Sequence, residues 1–476
     1  MNKNILVKSK ILATIGPATD TEDKLLDLID AGANGFRLNF SHGTEKYFEK
    51  LFTTIYNVCG KRKLPIPIIQ DLQGPKIRIG KLENESILLK EGKIIEITTK
   101  DILGNSEIVS CSYESLTKDA EINDIILIDD GLIELKVKEK KKDSIICEIV
   151  TGGILKPKKG MNLPGMKLST EAVTHKDKKD MLFAFKHRVD YVALSFVRSA
   201  KDIISLREWM NNHGFNKQII AKIEKPEAVE NFEEILKVSD AIMVARGDLG
   251  VEIAPYHVPV IQKRIIRRCN EVGKLVITAT QMLESMIYNP TPTRAEASDV
   301  ANAVIDGTDV VMLSGETAAG KYPIQTVRIM KNIIYTTELQ NQFKPKINFE
   351  VPEDKEENMF DATARGVVDV ANQIKAKIIV IFTHQGRQAK IISKYNPNAH
   401  IYAFSDSFET LNDLNLHKDI KPIYMEDINN EDYYINRAKE ILKEENVVTE
   451  GDVVLFSAGS PSIESGRKNW IKFYIV

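Results

Sequence analysis

The sequence predicts an α/β protein organised around a closed (β/α)8 barrel. Short apolar strands recur along the chain, and each is followed, directly or after an insertion, by an amphipathic helical pattern. Continuous apolar strands that alternate with helices are typical of a parallel sheet, and eight such units close into a barrel. The eight predicted strands are residues 11–15, 35–40, 67–72, 191–197, 219–223, 241–245, 275–279 and 310–314.

Composition limits the classes of protein to consider. A chain of 476 residues is too long for one hydrophobic core, so two to four domains are expected. Its 43% hydrophobic and 28% charged residues, with a net charge of -2, lack the basic excess of a nucleic-acid binder. No signal sequence, membrane span or paired cysteine motif is recognisable. We therefore expect a cytoplasmic protein with small-molecule partners.

A long insertion interrupts the third barrel unit. Residues 73–167, called the lid below, show short β-rich strands separated by Gly, Asn and Asp turns, which predicts an all-β domain. Its two ends, the leading hinge 73–80 and the trailing hinge 156–165, are rich in Gly, Pro and basic residues. We expect these hinges to swing the lid over the barrel mouth, with plain domain linkers as the alternative.

The remaining chain divides into the barrel and a C-terminal domain. The barrel is expected to comprise residues 1–72 and 168–342. A polar, Pro-containing stretch at 343–358 is typical of a linker. Strands and helices alternate again after it, so residues 343–476 are predicted to form a separate α/β domain of about five strands.

The stretch 219–250 predicts a β-α-β unit that carries charged side chains at the barrel mouth. Lys222 and Glu224 lie at the end of one strand, Pro226 opens a helix, and Asp248 follows the next strand. If the two strands are parallel neighbours, Glu224 and Asp248 face one another across a strand spacing. Two such carboxylates with a lysine between them suit a divalent metal that carries a phosphate. A charged loop and a simple turn are the structural alternative.

Other charged residues are expected on the same rim. Arg37 lies in the last part of strand 2, and Asp71, Lys76 and Arg78 lie at or just after the end of strand 3. A cluster of these cations with Lys222 would repel itself without an anion, and a phosphate with its magnesium is the natural occupant. For Arg37 or Asp71 alone, a buried ion pair is the structural alternative.

Neutral oxygens and one histidine complete the predicted rim. Asn39 and Ser41 are expected on the same face of a strand, where their oxygens suit a monovalent cation. His42 is a candidate for acid-base work, although a lone histidine is more often a packing residue. Thr280 and Ser314 place hydroxyls that can orient a small substrate or relay a proton.

Long motifs in the barrel resemble those of the pyruvate kinase family. They include RLNFSHG (37–43), QDLQGPKIR (70–78), AKIEKPEAV (221–229) and MLSGETAAGKYP (312–323). Further matches are KGMNLPG (159–165), ARGDLGVEI (245–253), TATQMLESM (278–286) and PTRAEASDVANAVIDGTD (292–309). The plan of a barrel, an inserted β lid and a C-terminal α/β domain is also that of the family.

The resemblance implies a reaction and roles for named residues. The reaction is magnesium-dependent phosphoryl transfer from phosphoenolpyruvate to ADP, giving pyruvate and ATP in the final step of glycolysis, with Mn2+ as an alternative metal. It implies Glu224 and Asp248 as metal ligands, and Lys222 as the group that stabilises the transferring phosphoryl. The phosphoenolpyruvate contacts implied are Arg37, Lys222, Gly247, Asp248 and Thr280; the nucleotide contacts implied are Asn39, His42, Arg78 and Lys159. A homotetramer is implied by resemblance alone, and the proton donor is left open between Thr280 with water and Ser314.

One departure from the family concerns potassium. In many members a potassium ion lies beside the positions of Asn39, Ser41, Asp71 and Leu72, and a glutamate occupies the position of Lys76. The lysine resembles members that need no potassium because an ammonium takes the place of the cation. We therefore expect activity without potassium, although Ile79 is more usual beside the glutamate.

The C-terminal domain resembles the family less closely. Thr383, Gln385, Gly386 and Arg387 follow a strand and open a helix, a position suited to holding the phosphate of an effector. Arg467 lies in a second loop that can bind an anion. Loss of effector binding is the equal alternative. For the whole protein, the alternatives are a metal-dependent barrel lyase acting on a pyruvate enolate and a non-catalytic regulatory homologue.

Overall fold

Eight parallel strands form the closed barrel that the sequence predicts. The computed structural model describes residues 6–340, 347–426, 431–459 and 469–476. The barrel strands are β1 (Lys10–Thr14), β2 (Gly35–Asn39), β3 (Ile68–Asp71), β12 (Tyr191–Leu194), β13 (Gln218–Ile223), β14 (Ala241–Ala245), β15 (Leu275–Ala279) and β16 (Val310–Leu313). Their order around the barrel is β1-β16-β15-β14-β13-β12-β3-β2. The intervening numbers β4 to β11 belong to the lid.

Helices cover the outside of the barrel and shield its apolar strands. They are α1 (Glu22–Ala31), α2 (Glu45–Arg62), α4 (His175–Ala184), α5 (Ala200–Asn212), α6 (Pro226–Glu230), α7 (Phe232–Val238), α8 (Arg246–Glu252), α9 (Val258–Val272), α10 (Arg294–Asp306), α11 (Gly315–Ala318) and α12 (Pro323–Glu338). Pro226 occupies the first turn of α6, as predicted, since a proline loses no hydrogen bond there. Gly273 ends α9 with a positive φ of 74°, which glycine adopts without steric cost.

The lid is an all-β domain with its own core. Its strands are β4 (Ile87–Leu89), β5 (Ile94–Thr98), β6 (Ile108–Ser110), β7 (Ile125–Ile128), β8 (Ile133–Lys140), β9 (Ser144–Thr151), β10 (Gly153–Leu155) and β11 (Met161–Asn162), with the short helix α3 (Leu116–Asp119). Six of them form the sheet β11-β7-β8-β9-β5-β6, and β10 pairs with β4. A buried apolar cluster between residues 77 and 166 fills the lid. This separate core supports the proposed domain division.

The C-terminal domain is a five-stranded sheet with helices on its faces. Its strands are β17 (Ile378–Phe382), β18 (His400–Ser405), β19 (Ile420–Tyr424), β20 (Val453–Gly459) and β21 (Asn469–Ile475), in the order β19-β18-β17-β20-β21. Its helices are α13 (Lys355–Gln373), α14 (Arg387–Lys394), α15 (Phe408–Leu414) and α16 (Glu431–Glu444). The fold class predicted from the sequence is confirmed.

Part of the predicted linker 343–358 is helical. Asp354 caps α13 by accepting a hydrogen bond from the backbone N–H of Glu357, so the helix begins at Lys355. Acidic residues of the predicted linker lie in the first turn of this helix, where their negative charge interacts favourably with the helix dipole. No helix within the described ranges is long and apolar enough to cross a membrane.

The C-terminal domain closes the bottom of the barrel. Leu416 is fully buried in the same apolar cluster as the barrel-lining side chains Leu12, Ile69 and Tyr191. Lys10, at the start of β1, is 5% exposed and donates a hydrogen bond of 2.6 Å to the carbonyl of Ile420. The carboxyl ends of the strands, at the opposite end of the barrel, therefore remain for the chemistry.

Candidate active site

Arg37, Asp71 and Lys222 form a buried charged cluster at the carboxyl ends of β2, β3 and β13. Arg37 Nε lies 2.6 Å from Asp71 Oδ2, and Lys222 Nζ lies 3.2 Å from Asp71 Oδ1. Exposed fractions are 9% for Arg37, 1% for Asp71 and 8% for Lys222. Burial alone would raise the pKa of Asp71, but Arg37 and Lys222 hold it below its ordinary value. The carboxylate is therefore charged and fixes both cations.

Glu224 extends the cluster towards β14. Its Oε1 lies 2.9 Å from Lys222 Nζ, and its Oε2 accepts a 2.7 Å hydrogen bond from the backbone N–H of Phe196. Glu224 is fully buried, and burial followed by the nearby charge of Asp248 raises its pKa despite the attraction of Lys222. A raised pKa indicates that the surroundings of this buried carboxylate stabilise its ionised form poorly. A bound metal ion supplies positive charge that would stabilise it.

Two buried hydroxyls that the sequence analysis missed orient the cations. Ser195 Oγ accepts a 2.7 Å hydrogen bond from Lys222 Nζ and donates one of 2.7 Å to the carbonyl of Leu72. Thr14 Oγ1 accepts from Arg37 Nη1 at 3.0 Å and donates to a backbone carbonyl at 2.8 Å. Thr14 ends β1 and Ser195 directly follows β12, and this position at the carboxyl end of a strand was the signal that could have identified them.

Lys222 is held as an ammonium ion. Burial lowers the pKa of a lysine, but the carboxylates of Asp71 and Glu224 raise that of Lys222 above its ordinary value. Its three closest partners are Asp71, Glu224 and Ser195. A fixed, permanently charged ammonium of this kind is suited to stabilising a phosphoryl group.

Asp248 and Gly247 lie in the first turn of α8 rather than in a loop. A simple turn was the structural alternative for the residues around Asp248, but a helix starts directly at Arg246 after β14. Arg246 makes this abrupt start possible by bonding Asp299 and the backbone carbonyls of Ala279 and Thr280. Strands β13 and β14 are parallel neighbours, as the prediction for Glu224 and Asp248 required.

Strained backbone brings Thr280 to the site. Thr280 and Gln281 have positive φ values of 68° and 53°, and Thr280 Oγ1 accepts a 2.8 Å hydrogen bond from the backbone N–H of Gly247. Such conformations cost about 1–3 kcal/mol each and are found mainly at functional sites. Ser314, past the end of β16, has a buried hydroxyl without a hydrogen-bond partner among the described residues.

Asn39, Ser41 and His42 lie together at the end of β2. The strand ends at Asn39, so the prediction that Ser41 continues it is wrong; Asn39 Oδ1 instead accepts the backbone N–H of Ser41 at 3.1 Å in a turn. Partial burial, followed by the charges of Arg78 and Lys76, lowers the pKa of His42. The histidine is therefore neutral at pH 7 and close to both cations of the leading hinge.

The basic side chains of the two hinges face in different directions. Arg78 and Lys159 bond groups of the trailing hinge and the lid, whereas Lys76 faces the cleft between lid and barrel. Arg78 Nη1 donates to the carbonyl of Lys158 at 3.0 Å, and Lys159 pairs with Asp129 of the lid at 2.7 Å. Lys76 lies on the wall of a cleft between lid and barrel, with its side chain near Gly160. Within the described ranges it forms no ion pair with Asp71, whose charged partners are Arg37 and Lys222.

The predicted effector loop contains an internal hydrogen bond. The backbone N–H of Gly386 donates to Thr383 Oγ1 at 2.9 Å, and Arg387 lies 4.0 Å from the ring centre of Phe360. Gln385 is exposed. Arg467 lies outside the described residues.

Two carboxylates, rather than a larger cluster, are available to a metal at the barrel mouth. No group of three or more His, Cys, Asp or Glu side chains in the described ranges is arranged to hold a metal ion. Magnesium is usually bound by one or two carboxylates together with substrate phosphates and water, so the pair Glu224 and Asp248 is compatible with that ion.

Comparisons with known proteins agree with this architecture. The family described as "Pyruvate kinase, barrel domain" matches residues 6–327, and "Pyruvate kinase, alpha/beta domain" matches residues 361–474. The pyruvate kinase of Staphylococcus aureus (strain MRSA252) is 42% identical over 471 residues, covering 98% of this chain and 80% of the relative. That of Staphylococcus haemolyticus (strain JCSC1435) is 44% identical over 474 residues, with the same coverage. A crystal structure of a pyruvate kinase from Cryptosporidium parvum superposes with a TM-score of 0.89 at 37% identity, covering 98% of this chain and 96% of that one. The chain therefore belongs to the pyruvate kinase family of phosphotransferases.

Proposed function

We propose that this protein transfers the phosphoryl group of phosphoenolpyruvate to ADP in a magnesium-dependent reaction that yields pyruvate and ATP. The observation that carries the proposal is the ammonium of Lys222, fixed between Asp71, Glu224 and Ser195 beside the guanidinium of Arg37. Phosphoryl transfer depends mainly on positioning and charge neutralisation, and this cluster offers both.

Glu224 and Asp248 are the residues proposed to hold the metal. Glu224 Oε1 is buried and faces the ammonium of Lys222, but it forms no hydrogen bond of acceptable geometry with any described residue, so a lone pair is available to a metal. The raised pKa of Glu224 indicates a site that favours an added positive charge. When bound, Mg2+ supplies charge neutralisation at the phosphoryl oxygens, and Mn2+ is the alternative.

The remaining residues are assigned by their positions around this pair. Arg37 and Lys222 bind the phosphoryl group. The backbone N–H of Gly247 and the hydroxyl of Thr280, which bond one another in this structure, exchange that partner for the carboxylate end of the substrate. The phosphoryl group passes from the enol oxygen to the terminal phosphate of ADP, and the enolate carbon then takes a proton. Thr280 with water, or the unpartnered hydroxyl of Ser314, is proposed to deliver that proton.

The nucleotide is proposed to bind between the rim and the hinges. Asn39 and the neutral His42 lie on the barrel side, and Arg78 and Lys159 lie on the lid side. Because Lys159 pairs with Asp129 in this structure, it must exchange that partner for a phosphate.

We also propose activity without potassium. The support is the lysine at position 76, where many family members have a glutamate. Since Lys76 lies on the leading hinge and not beside Asp71, this role requires its side chain to move towards Asn39, Ser41 and Leu72 when substrate binds. The phosphorylated effector, the homotetramer and the cytoplasmic location stay predictions.

Membership of a phosphotransferase family decides against the barrel lyase. The presence of Arg37, Lys222, Glu224 and Asp248 argues against a non-catalytic homologue. The test is pyruvate formation from phosphoenolpyruvate and ADP, coupled to a dehydrogenase, with and without magnesium and potassium. Turnover that requires magnesium supports the proposal, and folded protein without turnover contradicts it.

A further inference from the structure

Within the part of the chain that the structure describes, the trailing hinge hydrogen-bonds the barrel through the side chain of Asn162. Its Nδ2 donates a 2.8 Å hydrogen bond to Oε1 of Glu252, the last residue of α8. Asn162 belongs to β11, which pairs with β7 in the main lid sheet. The hydrogen bond therefore joins the lid to a barrel helix directly.

Glu252 is a buried charge whose partners are few. It is 6% exposed and pairs with Lys225, which is 7% exposed, at 2.6 Å. Its second oxygen, Oε2, is buried without a hydrogen-bond partner among the residues that the structure describes. A hydrogen bond to an ionised, poorly solvated acceptor is stronger than one between neutral groups, so Asn162 contributes more than an ordinary surface amide.

This contact connects the lid with both segments that carry the proposed metal ligands. Asp248 lies one turn before Glu252 in α8, and Lys225 directly follows Glu224 at the end of β13. A shift of Glu252 therefore moves the helix of Asp248 and disturbs the neighbour of Glu224. The three polar groups of the contact, on Asn162, Glu252 and Lys225, are not assigned to the substrate or the nucleotide.

The segment that follows the trailing hinge has its own hydrogen bonds to the barrel. Arg198 donates to the carbonyls of Leu168 and Thr170 at 2.7 and 2.6 Å, and Ser169 bonds Asp119 of the lid. Between this anchor and Asn162 the chain passes through Gly165, with a positive φ of 72°. The anchor and Asn162 are therefore two separate contacts between the lid segment and the barrel.

We propose that Asn162 and Glu252 are positioning residues that set the orientation of the lid over the metal-site helix. This inference rests on the proposed function, because the lid matters to the reaction only if Arg78 and Lys159 bind the nucleotide. Without the contact, the lid spends less time in the competent orientation, and the apparent affinity for nucleotide falls by that fraction.

The test uses Asn162→Ala and Asn162→Asp in the full chain. The alanine removes the donor, and the aspartate places a carboxylate against Glu252 at nearly constant size. We expect the KM for ADP to rise about three- to tenfold in Asn162→Ala and further in Asn162→Asp. The kcat at saturating ADP should stay within about twofold, and phosphoenolpyruvate affinity without nucleotide should not change.

A matched control separates the hydrogen bond from the ion pair. Lys225→Met combined with Glu252→Gln removes both buried charges but keeps an amide oxygen as a weaker acceptor for Asn162, so the KM for ADP should rise clearly less than in Asn162→Ala. A lower melting temperature with an unchanged KM in Asn162→Ala would assign a merely structural role and overturn the proposal. So would a KM for ADP that rises equally in the control.

Hydrogen exchange distinguishes failure of this inference from failure of the proposed function. The N–H groups of Ile79 and Met161 bond the opposite hinge, to the carbonyls of Lys159 and Ile77. Even in a protein without kinase activity, Asn162→Ala should speed their exchange if the contact holds the lid. Unchanged exchange would overturn the positioning role whatever the activity.

Discussion

Replacing Ser195 by alanine tests how the ammonium of Lys222 is held. Ser195 is 2% exposed, and its hydroxyl links Lys222 Nζ to the carbonyl of Leu72 through two 2.7 Å hydrogen bonds. The substitution removes one oxygen and leaves the ion pairs of Lys222 with Asp71 and Glu224 in place. The charge is kept, but one of its three restraints is lost.

The size of the effect follows from the type of hydrogen bond lost. A hydrogen bond to a charged group contributes about 1.5–3 kcal/mol. If that orientation is needed only while the phosphoryl group is transferred, the loss appears in kcat, which should fall about 10- to 150-fold. The KM for phosphoenolpyruvate should change little, because Arg37 keeps its own contacts to Asp71 and Thr14.

The assay is coupled pyruvate formation, with thermal unfolding measured in parallel. Ser239→Ala is the matched control, because Ser239 is equally buried and bonds a backbone carbonyl at the opposite end of the barrel. That control should lose similar stability and keep its kcat. A folded Ser195→Ala protein with a kcat within twofold of the parent would refute the positioning of Lys222 by this hydroxyl.

Three further changes test the metal site, the cation site and the barrel floor. Glu224→Gln should raise the magnesium concentration for half-maximal rate at least about tenfold, since a neutral amide is a poorer ligand; an unchanged magnesium curve would remove Glu224 from the metal site. Lys76→Glu should create a potassium requirement, seen as a rate lost without potassium and restored by it, and a potassium-dependent parent would contradict the role of Lys76. Burial lowers the pKa of Lys10 from 10.5 to about 8, against the opposing charge of Asp419. The unfolded chain therefore binds this proton more tightly, and stability is reduced below pH 8 and recovers as the pH rises to about 10.5. Lys10→Met should accordingly be more stable than the parent at pH 7 by about 1–2 kcal/mol, after allowing for the lost bond to Ile420. The gain should shrink above pH 8 in chemical unfolding experiments, and a variant less stable at pH 7 would contradict the burial cost.

The barrel could be predicted because its signals are local and repeated. Apolar strands such as 241–245 and helices ended by Gly273 follow from hydrophobic patterning and backbone preference alone. The rule that parallel strands share one rim then placed Arg37, Asp71, Lys222 and Glu224 together. Short elements such as β6 and β11 were missed because two or three residues carry too little pattern.

The helical start at Arg246 and the roles of Ser195 and Asn162 depend on contacts that no local pattern reports. Arg246 is fixed by Asp299, which lies 53 residues further along the chain. Ser195 meets Lys222 only because β12 and β13 are adjacent. Asn162 reaches Glu252 because the lid packs against the barrel at this point, which depends on tertiary structure.

The central claim is that a fixed ammonium at position 222 stabilises the transferring phosphoryl group. The most direct measurement is the rate of pyruvate formation from phosphoenolpyruvate and ADP with saturating magnesium, for the parent and for Lys222→Met. We expect turnover by the parent and a loss of at least about a thousandfold in a folded variant, corresponding to about 4 kcal/mol of transition-state stabilisation. A variant that keeps more than about a tenth of the parent rate, a deficit of less than about 1.4 kcal/mol, would contradict the claim.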